Sequence, residues 1–149
     1  MNDALDRLVT TGQLKVQPTS KTEVAGFLAN ADQRLADARI PELSSAGRFD
    51  HAYAAAHALA LAALRAEGYR PGSSLGHRAI VFQSLAHTIQ APATLWSSLN
   101  RYHTMRNRSE YEGLVSSTDA EARDMVALAM KLKSLVLAWL RKHRAELLA

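Results

Sequence analysis

Residues 50–68 read DHAYAAAHALALAALRAEG, with nine alanines and three leucines spread over every side of a helical wheel. Alanine is the strongest helix former and has almost no side chain to hold a neighbour away. The stretch therefore predicts a central helix, about Phe49 to Glu67, that other helices approach closely. Gly68 stands where a helix end takes a left-handed glycine. On such a helix a histidine is more often a packing residue than a ligand, and His57 reads that way. His51 and His57 are six positions apart and diverge by about 120°.

The helical period continues outward on both sides, and nothing reads as a strand. Upstream, residues 2–12 form a short leading helix (Ala4, Leu5, Leu8, Val9) closed by Gly12. Gln17-Pro18 is an extended joint, because the residue before proline avoids the helical region. Ser20-Lys21-Thr22-Glu23 has the pattern of a capping box. It opens a helix whose apolar face is Val24, Phe27, Leu28, Ala31, Leu35 and Ala38, stopped by Ile40-Pro41. Ser44, Ser45 and Gly47 read as a polar loop.

Downstream, a third helix is expected from His77 to Ile89. Pro92 starts a fourth as its first residue, running through Leu95, Trp96, Leu99 and Tyr102. Thr118 or Asp119 caps the last and longest. There Met125, Leu128, Leu132, Leu135 and Trp139 form a seam of threes and fours. The expected fold is all-α: an extension over 1–18 with a short helix, then an up-and-down bundle of four long helices over 19–149.

The 149 residues suit one domain. The chain has no cysteine, which excludes disulfides, a thiol nucleophile and a thiolate zinc site. No apolar run approaches the length of a membrane span, and MNDALDRLVTTG lacks the basic and apolar regions of a secretory signal. A cytoplasmic protein is expected. The net charge of +4 is unevenly placed. Residues 1–67 carry seven Lys and Arg against eight Asp and Glu, while 68–149 carry eleven against six. Between Gly68 and Ser109 lie five arginines, three histidines and no carboxylate. Such a stretch presents a positive field to phosphate, although an arginine-rich solvated face has the same composition.

The candidate site falls at the end of that stretch, Arg101-Tyr102-His103-Thr104-Met105-Arg106-Asn107-Arg108-Ser109-Glu110-Tyr111-Glu112-Gly113. On a helix His103, Asn107 and Tyr111 make one polar stripe, with Arg106 three residues after His103. Arginine holds a phosphate bidentately and imidazole moves a proton near neutral pH. Arg101 and Arg108 are candidates for further phosphate contacts. Neither a phosphate-loop signature nor a metal-ligand cluster occurs, so no cofactor and no metal are expected.

Met105-Arg106-Asn107, then three residues and Tyr111, late in a compact helical chain, resembles the HEPN domain. That family is marked by Arg, four to six residues, then His, often with Asn straight after the Arg. Arg106 and Asn107 match the first two, and Tyr111 occupies the histidine position. The layout is also similar over about residues 20–147. The resemblance implies a homodimer of helical bundles with the two motifs facing each other. It implies a metal-independent endoribonuclease of a toxin–antitoxin type system, often beside a nucleotidyltransferase-type partner, or a non-catalytic module that binds nucleotide, RNA or that partner. In the cleaving form Arg106 would hold the phosphate, His103 would act as base, and Asn107 and Tyr111 would position the RNA. Tyrosine is a poor base at neutral pH, so Tyr111 at the histidine position also fits the binding form. A helical oligomerisation protein with no small-molecule site is a third expectation, carried by the seam of the last helix.

Overall fold

The structure is a computed structural model that describes residues 3–72, 77–112 and 117–148, the backbone alone at 77, 78 and 109–112. Six helices appear in these residues: α1 (Asp3–Thr10), α2 (Lys21–Ala38), α3 (Ser45–Ala66), α4 (His77–Gln83), α5 (Ala93–Glu112) and α6 (Asp119–His143). The protein is all-α apart from one small ribbon. Among the described residues no helix is long and apolar enough to cross a membrane.

The centre is α3, as its alanines require. Phe49, Ala52, Ala55, Ala56, Leu59, Ala60, Ala63 and Leu64 are all fully or almost fully buried, and α2 and α6 pack along it. The helix starts four residues earlier than its apolar residues suggested. The hydroxyl of Ser44 accepts from the Gly47 N–H at 3.0 Å, so Ser45 and Gly47 form the first turn rather than a loop. At the other end Gly68 has φ +91°, and its N–H donates to the Arg65 carbonyl.

The expectation of no strand is wrong at two places. β1 (Leu14–Val16) and β2 (Tyr69–Pro71) pair antiparallel, with Leu14 opposite Pro71 and Val16 opposite Tyr69. Each strand is three residues long, too short for a period of two to show in sequence. Pro71 has no N–H to donate, and it is tolerated because a two-stranded ribbon consists of edges. Gly72 follows at a close approach, where a Cβ would run into the Gly12 carbonyl oxygen. The leading segment shares the main core, with Leu5 and Leu14 buried in it and the Tyr69 hydroxyl donating to Asp6.

The capping motif at the start of α2 is half made. Ser20 Oγ accepts from the Glu23 N–H at 3.1 Å, but the Glu23 carboxylate turns to Arg65 instead of returning to the Ser20 backbone. Arg65, 3% exposed, donates to both Glu23 oxygens at 2.6 and 3.0 Å. It also donates to the carbonyls of Gln17, Pro18 and Tyr69 at 2.8–2.9 Å. One side chain thus ties α3 to the joint before α2 and to β2. The guanidinium holds the Glu23 carboxyl below the usual carboxylate range.

Downstream, α4 ends at Gln83 and passes into a 3₁₀ turn over Ser84–Ala86 instead of running to Ile89. Pro92 lies just ahead of α5. The full capping box occurs at α6, where Thr118 and Glu121 each satisfy the other's N–H. The buried face of α6 is rotated from the expected seam. Ala122, Met125, Ala129, Leu132, Val136 and Leu140 face inward, and Leu128, Leu135 and Trp139 flank the core half-buried. The two alanines let α6 approach α3 along this line.

Candidate functional site

A cleft of about 180 Å³ lies between α2, α3 and α5. Phe27, Asn30 and Arg34 line it from α2, at spacings of three and four that put them on one face. Asp50, Tyr53, His57 and Leu61 line it from α3 at the same spacings, and Arg106 closes it from α5. Phe27 is half-buried at this opening rather than in the core where its spacing placed it.

The Arg106 guanidinium sits 4.8 Å over the Tyr53 ring, a cation–π contact that holds it against the cleft wall. Behind that wall is His103, 7% exposed. Tyr53 Oη is 2.8 Å from His103 Nδ1, and Asn107 Nδ2 is 3.2 Å from His103 Nε2. One ring nitrogen thus meets the Tyr53 hydroxyl and the other the Asn107 side-chain amide. His103 also stacks on Tyr53 and meets the edge of Phe82, with ring centroids 6.3 Å apart in each case. Phe82 in turn packs edge-on against Tyr53 and His57.

The structure therefore brings Arg106, His103 and Asn107 together, as the stripe on α5 predicted. It places the imidazole inside, gripped through both nitrogens, with Arg106 alone of the three on the cleft. The side chain of Tyr111 lies outside the described residues, as do those of Glu110 and Glu112. His57 packs against Phe82 and also reaches the cleft.

Arg101 goes elsewhere. It lies 4.8 Å over the Tyr102 ring and 3.8 Å from Asp124 of α6, on the far side of α5 from Arg106. The Tyr102 hydroxyl donates to Asp124 at 2.5 Å. Burial, then the neighbouring carboxylate, pushes this phenol up to about 12. Its folded value lies above the ordinary 10, so the stability it confers is complete below pH 10 and is lost as pH rises toward 12. Urea midpoints measured from pH 9 to 11 should fall more steeply in the natural chain than in Tyr102→Phe; parallel slopes would refute this. Arg108 is exposed and is not among the cleft's lining residues.

Three contributors escaped the sequence reading: Tyr53, Arg34 and Asp50. A faint signal existed for two of them, because Asp50, Tyr53 and His57 fall at spacings of three and four on one face of the alanine-rich helix. Arg34 gave none, being one of several polar residues on the outer face of α2. One Arg34 nitrogen lies 3.1 Å from His51 Nδ1. Among the described residues no three His, Asp or Glu side chains are grouped to hold a metal ion. Comparisons with family models, with curated proteins and with solved structures gave no match for this chain.

Proposed function

We propose that this cleft binds a phosphodiester of RNA or of a nucleotide, in a HEPN-like, up-and-down helical bundle that works as a homodimer in the cytoplasm. The observation that carries the reading is the meeting of Arg106 and Arg34 on one concave surface beside Tyr53. Two guanidinium groups on one concave surface offer forked donors and positive charge to a phosphate, with the Asp50 carboxylate beside them. Arg106 supplies the forked donor, pre-oriented by the Tyr53 ring. Asp50 is suited to accept a hydrogen bond from a ribose hydroxyl, and Phe27 offers a face to a base. His103 serves as a positioning residue, since its burial and two hydrogen-bond partners keep it from a substrate hydroxyl. In a binding module of this kind, a nucleotidyltransferase-type protein is the fitting partner.

A second reading, metal-independent RNA cleavage by a toxin-like effector, is favoured by one feature: His57 lines the same cleft as Arg106, so an imidazole lies beside the place a diester would occupy. Both readings are tested by adding a short single-stranded RNA in EDTA to the natural chain, Arg106→Ala and His57→Ala. We expect salt-dependent binding without cleavage. Arg106→Ala should weaken it about 10- to 100-fold, the worth of a charge-assisted bidentate contact. Cleavage abolished in both variants would replace the binding module with the nuclease. Binding that Arg106→Ala leaves unchanged would sink both.

A further inference from the structure

A second cavity, of about 260 Å³, opens where the end of α2 meets the starts of α3 and α6. It shares no lining residue with the first cleft. Its floor is apolar, made by Ala38, Ala122 and Val126, and its walls carry three arginines, Arg39, Arg48 and Arg123. Three guanidinium groups share one concavity, where like charges repel. Arg48 is the anchored one. It donates to Asp119 at 2.6 Å and to the Leu43 carbonyl at 3.3 Å. Ser45 also donates to Asp119, and these contacts with Arg48 hold that carboxyl below the usual carboxylate range. Asp119 is therefore charged at neutral pH and offsets one of the three cations. Arg39 and Arg123 are exposed, and Arg123 adds a weaker Coulombic pull on Asp119.

We infer that this cavity is a binding site for a small phosphomonoester carrying a short apolar group. The charge count selects the ligand: three cations and one carboxylate leave two positive charges, and a phosphomonoester near neutral pH carries nearly two negative ones. A carboxylate or a phosphodiester would leave the site half neutralised. Arginine forks suit the phosphoryl oxygens, and the floor of Ala38, Ala122 and Val126 receives the apolar part. The site rests on none of the residues assigned to the diester cleft.

The test is calorimetric titration of the full chain with propyl phosphate, and with diethyl phosphate as the singly charged counterpart. Saturable binding of propyl phosphate is expected, at least tenfold tighter than diethyl phosphate. Arg39→Ala and Arg123→Ala change exposed side chains, so they should fold normally, and each should weaken binding about fivefold or more. Arg106→Ala should leave it unchanged. Equal affinity for the two ligands would overturn the charge match. Binding lost in Arg106→Ala but kept in the double variant Arg39→Ala/Arg123→Ala would place the ligand in the other cleft and overturn the site, as would no saturable binding at all.

Discussion

Replacing Arg65 with methionine should cost about 2–4 kcal/mol, the loss of a buried guanidinium's charge-assisted hydrogen bonds, discounted because its partner Glu23 is about a third exposed. The guanidinium is 3% exposed and its hydrogens go to five acceptors. Methionine fills the volume and satisfies none of them. The Glu23 carboxylate and the carbonyls of Gln17, Pro18 and Tyr69 then lose this donor; Tyr69 is buried, while water can replace part of the loss at the other three. Arg65→Lys should do almost as badly, because one ammonium cannot span acceptors arranged for a planar fork. Urea unfolding followed by circular dichroism measures the loss. The folded-state value of Glu23 is depressed, so its share of the stability is present above about pH 4.5 and is lost as pH falls through that lower value. The gap between natural chain and variant should therefore narrow in acid. A loss below about 1 kcal/mol at pH 7 would show that Arg65 is not the tie the geometry describes.

Phe82→Ala should be comparably costly, about 3–5 kcal/mol, the usual range for deleting a buried aromatic side chain. Phe82 is fully buried and its ring meets those of Tyr53, His57 and His103 at 5.6–6.3 Å. These are the side chains that build the wall behind Arg106. The variant should thus lose stability and, under conditions where it remains folded, lose RNA affinity as well. Phe82→Leu keeps most of the volume and should recover the greater part of the stability. Full RNA affinity in folded Phe82→Ala would separate the aromatic cluster from the cleft.

The helices were legible because their signals are local. Alanine in α3, the serine before α2 and the cap at Thr118 each act within a turn of the chain. The ribbon was not legible, because three-residue strands at positions 14 and 69 are made by tertiary pairing and carry no period. Glu23 shows the same limit: its spacing from Ser20 fits a capping box, yet a buried arginine 42 residues away competes for the carboxylate and wins. The α5 stripe put His103, Asn107 and Tyr111 on one face with Arg106 beside His103. It could not reveal that the imidazole turns inward, since that depends on Tyr53 from another helix. Arg34 and Asp50 join the cleft only through the packing of α2 on α3, which no single helix encodes.

The burial of α3 on nearly every side has a further bearing on the cleft. Its contribution is a jaw that cannot be reshaped in isolation, because a change of size along this helix is felt by α2 or α6 at once. The facing jaw is different: Asn30 and Arg34 are exposed and Phe27 is half-buried, so they can be exchanged without disturbing the core. Substitutions on α2 alone should therefore alter the lining of the cleft while Tyr53 and its support stay in place.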